Sequence, residues 1–460
     1  MEKIIGVNIK TVTYWIHFAV IGFLIFMVCY YGFITAVKIL VPLILIFMLS
    51  YVIDFPKSLV FAVIGSSVVS LTLLKYYMFM DYWFRLSLAD VIVLIQFLLL
   101  IMYSTVKIRA PKGKDIFVQP MILFLVGIIV SFVVAEDRSA VLAMCLLFVI
   151  GYFFYRYILL TFSTEKGLHY IVIAFVGALV LAIIFAFVGR SVIPTGARTS
   201  IFRAGYVFAG PNGLAAMLAI LLPFTFIALA LRNAIIKITL ALFFALGIFL
   251  LSITFSRNGY ISFITSTIVI VIMLLQMRFK NVLLISTVII GAVVLLGTVV
   301  LNRLVSIALF KFDPSALFRF ILWQTAMNQF LKSPFTGIGI GNFYYVSELY
   351  RIGFCHNFYL NLLVEMGIFG GASVLWLLGL VFYRLIKTYR SLEQGFMKTL
   401  NVCLLGSWVA FSVNNMFDQI WFFFDRTDEM KFFWLLLATT AIFITVNTKQ
   451  KQMPAFNLQR

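Results

Sequence analysis

Apolar runs about twenty residues long recur from one end of this 460-residue chain to the other. They fall near 13–33, 36–53, 57–74, 88–106, 117–135, 139–162, 168–188, 208–231, 234–255, 258–277, 281–301, 357–385, 398–417 and 431–447. Each approaches the length of a helix that crosses a bilayer, and lipid is the one solvent in which so many wholly apolar helices are stable together. Only 11% of the residues are charged, against about 25% in soluble domains, and the mean hydropathy is +1.12. The expected fold is an all-α polytopic membrane protein with about 14 transmembrane helices, in a range of about 12 to 14. Transmembrane helices are expected over 1–301, one long loop containing amphipathic helices over 302–356, and the last helices with a tail over 357–460.

The formal charge of +19 does not point to nucleic acid. Such sites are basic clusters on a soluble face, whereas here Lys and Arg are scattered in small groups between apolar runs. Loop bias and anionic lipid account for that spacing. Of the four cysteines, Cys29, Cys145 and Cys403 lie inside apolar runs and Cys355 in the long loop, so no disulfide framework or zinc spacing is present. Lys3 and Lys10 precede a run too long for a signal peptide and without a small-residue cleavage site, so it reads as the first helix.

Loop charge sets an expected orientation. The richest short basic loops are Lys107, Arg109, Lys112, Lys114 and Arg384, Lys387, Arg390, Lys398. Placing both inside puts both termini in the cytoplasm and leaves the smaller share of Lys and Arg outside. The outer side then holds Arg190, Arg198, Arg203 and Arg257 close to membrane ends, and the long loop with Arg319 and His356. Within that loop, 316–331 has the mixed apolar spacing of an amphipathic helix on the outer interface, with Trp323 and Arg319 at a suitable depth.

Four constellations could carry chemistry. Arg203 precedes Gly210-Pro211-Asn212-Gly213, a turn signal before an apolar helix. Asn212 is placed to cap that helix, which is either a capped span beside a topological arginine or an anion site at a helix N-terminus. Thr254-Phe255-Ser256-Arg257-Asn258-Gly259 joins two apolar runs almost without a loop. Arg257 there either lines a site or snorkels to the interface. The third is Gly337-Ile-Gly-Ile-Gly-Asn342, followed by His356-Asn357 and then Asn361 and Glu365. The glycine run has no preceding strand and is not a dinucleotide fingerprint; it lets the backbone turn tightly at the membrane surface. Asn357, Asn361 and Glu365 fall on one helix face, a polar stripe that implies a wet cavity or a polar neighbour. Histidine titrates near neutrality, which suits His356 to accept a proton from a sugar hydroxyl. The fourth group, Asn414, Asn415 and Asp418, reads as a solvated loop in preference to sugar ligands.

These pieces, in this order, resemble the O-antigen ligase and polymerase family of bacterial envelope glycan enzymes. The likeness runs from about Ser131 to Gly371 through SFVVAEDRSAV, RAGYVFAGPNGLAAML, TFSRNGYIS, RFILWQTAMNQFLKSPFTGIGIGNF and HNFYLNLLVEMGIFG. It implies a GT-C-like glycosyltransferase of the bacterial inner membrane with its site on the periplasmic or outer face. The reaction it implies is an inverting, metal-independent transfer from an undecaprenyl-pyrophosphate-linked glycan, with no cofactor. On that resemblance Arg203 and Arg257 hold pyrophosphate, with Arg198 and Arg319 as further candidates. His356 activates the acceptor hydroxyl, and Asn212, Asn357, Asn361 and Glu365 support it or the acceptor. The partners it implies are the lipid-linked donor, a glycan or lipid-linked acceptor and membrane lipid, with room for a chain-length regulator and none for nucleic acid. The helix count favours a polymerase over a ligase. A transporter or flippase would show charges near the midplane and an internal repeat, neither of which is evident.

Overall fold

The computed structural model describes residues 55–69, 72–79, 82–105, 115–188, 210–275, 314–347, 353–419 and 427–452. The apolar runs 13–33, 36–53 and 281–301 lie outside them, as do Arg190, Arg198 and Arg203. Among the described residues, eight helices are long and apolar enough to cross a membrane, and the fold is a helical multi-pass bundle.

The first described helix, α1 (Phe55–Val69), ends before its apolar run does. An antiparallel hairpin follows, β1 (Thr72–Phe79) and β2 (Tyr82–Ser87), pairing Tyr76 with Phe84 and Tyr77 with Trp83. This stretch is as apolar as a span, but its aromatic density favours the extended chain. Ser87 then starts α2 (Leu88–Thr105) with a capping box. Asp90 N–H donates to Ser87 Oγ (3.3 Å), and Ser87 N–H donates to Asp90 Oδ2 (2.8 Å).

The bundle continues with α3 (Val118–Val134), α4 (Arg138–Thr161) and α5 (Glu165–Val188). Next comes α6 (Pro211–Leu221), which tightens into a 3-10 helix over Leu222–Ala230. Pro223 has no N–H to give the preceding turn, so α-geometry stops there. Then follow α7 (Ala234–Ile253) and α8 (Arg257–Leu275). The loop helix α9 (Pro314–Lys332) stands where the amphipathic spacing put it, and the single turn α10 (Phe343–Val346) follows. The last three are α11 (Phe358–Tyr389), α12 (Phe396–Phe417) and α13 (Thr427–Gln452).

One apolar core joins the spans, with α13 at its centre; Trp408 Nε1–H on α12 donates to Thr440 Oγ1 on α13 at 2.9 Å. Small residues let helices approach closely: a Cβ on Gly406 of α12 would meet Ile270 of α8 at 2.5 Å. Large apolar side chains on the outward faces, such as Ile129, Val133, Ile235 and Leu375, stay exposed, as lipid-facing residues do.

The helix that follows His356 is not one straight span. Its 32 residues would reach about 48 Å, against a hydrocarbon core of about 30 Å. Two hydrogen bonds to α12 show the mismatch. Asn401 Nδ2 reaches the Leu385 carbonyl at 3.1 Å, and Tyr359 O–H reaches the Ser412 carbonyl at 3.0 Å. Those contacts are about 16 Å apart along α12 and about 39 Å apart along α11, so α11 bends. The break is at Gly367, with φ 61° and ψ −157°. From Ile368 to Tyr389 the helix is about 33 Å long, which spans the core by itself.

Candidate functional site

The break at Gly367 explains the glycine run. A helix end leaves carbonyls and N–H groups without partners, and in or near lipid they must be satisfied by protein. The loop after α9 supplies those partners. Ile338 N–H donates to the Val364 carbonyl (3.1 Å) and Gly339 N–H to the Glu365 carbonyl (2.9 Å). On the far side of the break, Ile368 N–H donates to the Pro334 carbonyl at 2.8 Å. Gly337, Gly339 and Gly341 all take positive φ (66°, 102° and 82°), a conformation that side chains oppose. The approach is also close: a Cβ on Gly337 would lie 2.4 Å from the Glu365 carbonyl carbon.

Asn342 ties the same loop to the corner between α3 and α4. Its Oδ1 accepts from Asp137 N–H (2.7 Å), and its Nδ2 donates to the Asp137 carbonyl (3.1 Å). Ile340 N–H donates to Ser131 Oγ at 3.3 Å. The fragment SFVVAEDRSAV therefore meets GIGIGN and the start of α11 in space.

The polar stripe of α11 serves this scaffold. Asn357 Oδ1 caps the helix by accepting from Leu360 N–H at 3.0 Å. Asn361 is buried, and its Oδ1 accepts from Cys355 N–H at 3.1 Å. Glu365 is buried as well, with Oε1 accepting from Phe343 N–H at 3.2 Å. These three side chains bind the chain's own backbone, where the spacing alone suggested a wet cavity. Next to them, burial pushes the Cys355 thiol up.

His356 is held between Cys355 and Asn357 with φ 56°, a strained backbone for a residue with a side chain. Such strain persists where the surroundings impose it. The ring packs edge-on to Phe354, with centroids 4.6 Å apart. Its Nδ1 lies 3.2 Å from Asp418 Oδ1, and the side chains of His356 and Asp418 are 24% and 2% exposed. The imidazole can be reached while its carboxylate partner is sealed. A carboxylate in this position takes the Nδ1–H tautomer and leaves the lone pair on Nε2.

Asp418 ends α12 and is fixed from three sides. Its N–H donates to the Asn414 carbonyl (3.1 Å), its Oδ1 accepts from Gln419 N–H (2.9 Å), and its Oδ2 accepts from Asn212 Nδ2 (3.3 Å). Asn414, Asn415 and Asp418 are all buried, which corrects their reading as a solvated loop. The N-cap of α6 is Gly210 and not Asn212. Pro211 at the first helical position leaves Asn212 free to point its amide at the carboxylate.

Arg257 comes to the same end of the bundle by way of its neighbour. Phe255 turns the chain with φ 52°, and Ser256 Oγ accepts from Gly259 N–H at 3.4 Å, starting α8. Asn258 Nδ2 then donates to the Asn414 carbonyl at 3.0 Å, the carbonyl that also receives Asp418 N–H. Arg257, first in α8 and half-buried, is thus anchored one residue from the atom that positions Asp418. A Cβ on Gly259 would meet Ala215 Cβ at 2.4 Å, so the starts of α6 and α8 touch.

Arg319 sits on α9 in line with Leu322, Ala326 and Phe330, one face of the helix. Leu322 and Ala326 are buried with Phe343, Cys355 and Val364, and Trp323 packs on the same cluster. Arg319 is half-buried on this protein-facing side, so neither it nor Trp323 marks a lipid-facing edge of α9. Arg198 and Arg203 lie outside the described residues.

The structure thus joins His356, Asn212 and the start of α8 through Asp418 and Asn414, neither of which was singled out for that role by spacing. The available signal was an acid four residues after an asparagine at the end of an apolar helix, on the side already rich in arginine. No curated protein matches the chain. A family model described as O-antigen ligase matches residues 240–375, a stretch that contains Arg257, Arg319, His356 and the Gly367 break. Through that stretch, this multi-pass membrane protein is similar to the O-antigen ligase family.

Proposed function

We propose that the chain is an integral-membrane glycosyltransferase that polymerises undecaprenyl-pyrophosphate-linked repeat units into a surface polysaccharide such as an O-antigen or capsule. It works in the bacterial inner membrane, with both termini cytoplasmic and the His356 end of the bundle on the periplasmic or outer face. The observation that carries this reading is the His356–Asp418 pair beside the start of α8, where Arg257 stands. The acceptor hydroxyl gives its proton to His356 Nε2 as its oxygen attacks the anomeric carbon from the face opposite the pyrophosphate. The imidazolium formed faces the Asp418 carboxylate, and the anomeric configuration inverts. Pyrophosphate leaves with the glycosidic electron pair, its charge met by Arg257 and, in this reading, by Arg203, with Arg319 and Arg198 as further candidates. Arginine forks suit a dianion that is already a good leaving group, so the step needs charge stabilisation and a base, with no metal or cofactor.

Purified protein in liposomes, supplied with a lipid-linked oligosaccharide, tests this directly. Wild type should make a polymer ladder, and chelators should leave its rate unchanged. His356→Ala should lower the rate by about 10²–10⁴-fold while the protein stays folded. Full activity in that variant sinks the base assignment, and sensitivity to chelators sinks the metal-free reading.

The description of the matching family favours a second reading, transfer of a finished glycan to a terminal acceptor such as lipid A-core by a ligase. Chain length separates them. Cells lacking a polymerase carry single repeat units on the acceptor, and cells lacking a ligase accumulate long chains on the carrier lipid. Transfer in detergent, where no compartment exists, rules out a transporter or flippase.

A further inference from the structure

The loop helix α9 has two apolar faces, and among the described residues only one has a partner. Leu322, Ala326 and Phe330 pack toward Cys355 and Val364. About a third of a turn away, Leu317, Phe320, Met327 and Leu331 form a second stripe that is 51%, 63%, 44% and 68% exposed. Gln324, Asn328 and Lys332, also exposed, border it on the other side. Four large apolar side chains on one side of one helix exceed the scatter expected on a watery surface.

The stripe does not end with the helix. Phe335, three residues after Lys332 closes α9, is 67% exposed. The neighbouring Pro334 carbonyl is bonded to Ile368 N–H at 2.8 Å. Ile368 opens the spanning part of α11 and is itself an exposed apolar residue, as are Leu375 and Trp376 further along. Through that hydrogen bond the end of the stripe adjoins the start of a membrane span that itself carries exposed apolar residues. We propose that Leu317, Phe320, Met327, Leu331 and Phe335 form a membrane-docking face, seated in the lipid interface at the His356 end of the bundle. The occupant is the bilayer itself. Its polar edge at Gln324, Asn328 and Lys332 faces the headgroups and water, as in an interfacial amphipathic helix. Docked this way, α9 turns Arg319 toward the protein. The inference rests on exposure and continuity alone and stands whether or not the chain transfers glycans.

The photocrosslinker p-benzoylphenylalanine, placed at Phe320, at Leu331 and, as a control, at Asn328, tests it in the full chain reconstituted in phosphatidylethanolamine–phosphatidylglycerol liposomes. Met327 is a third position in the stripe if either substitution reduces folding. Irradiation should give phospholipid adducts at Phe320 and Leu331, read by mass spectrometry, in at least about five-fold higher yield than at Asn328. Equal yields at all three positions would overturn the proposal, since they mean an aqueous face. Adducts at the mass of two chains would also overturn it, since they mean that a second copy covers the stripe.

Discussion

At the scale of single residues, the informative side chain is Asp418. It touches His356 and is not placed against a substrate, so in the proposed reaction it acts as a positioning residue. Asp418→Asn keeps the size of the side chain and removes the charge that selects the tautomer and faces the imidazolium. The turnover rate should fall by about 10²-fold or more, with the donor KM little changed. Steady-state kinetics on the reconstituted protein read the split, and an unchanged melting temperature separates positioning from a lost fold. A rate like wild type would mean that the 3.2 Å contact has no part in the reaction. His356 was legible in the sequence because histidine is rare in this chain, with three in all. Asp418 was not, since its importance comes from a contact across 62 positions, and nothing local in Asn414-Asn415-Met416-Phe417-Asp418 announces that contact.

At the scale of elements, the glycine loop and the Gly367 break depend on each other. The loop's N–H groups fill the carbonyls that the break exposes, and the break gives the loop a place to dock. Gly367→Ala adds a Cβ at φ 61°, within 2.4 Å of the Phe335 carbonyl oxygen. The expected cost is about 2 kcal/mol or more, seen as a lower melting temperature in detergent together with weaker activity. A substitution of Gly379, in the same helix with nothing within 4 Å of its Cβ position, should be nearly neutral and serves as the control. Matched melting curves for the two variants would mean that the break does not hold the loop. The apolar runs announced the spans, but hydropathy has no term for a break. Met366-Gly367-Ile368 is as apolar as an unbroken helix, and only the length of α11 against the bilayer shows that it must bend.

At the scale of the whole molecule, the described spans are held by apolar packing and by a buried ion pair between distant helices, Lys431 on α13 and Asp90 on α2. Both groups are almost fully buried, and Asp90 also accepts from Ser87 Oγ at 2.9 Å. Removing one partner leaves a charge in a low-dielectric interior, so Lys431→Met should destabilise by about 3–5 kcal/mol. The double variant Asp90→Leu with Lys431→Met should recover part of that loss, because an apolar pair replaces the ion pair without an orphaned charge while the Ser87–Asp90 capping box of α2 is still lost. Denaturation of the three variants in detergent, analysed as a double-mutant cycle, measures the coupling. Additive losses would show that the two side chains do not stabilise each other. Each residue alone reads as an isolated charge near the end of an apolar run, and their pairing is a property of the bundle.

The solvent of this protein was determined by its sequence: twenty-residue apolar runs with few charges have no stable home but lipid, and that follows from the hydrophobic effect and backbone hydrogen bonding alone. Local structure was legible too, in the loop helix of 316–331 and the tight turns of the glycine run. Tertiary structure alone decided which polar residues hold backbone and which contact His356. Asn361 and Glu365 share a helix face with Asn357 by spacing, yet they pin loops; Asp418 lies beyond the likeness read from the sequence, yet it holds the histidine. The physical reason is that a buried polar atom is defined by its partner, and here the partners come from segments that only the packed bundle brings within 3 Å or so of one another.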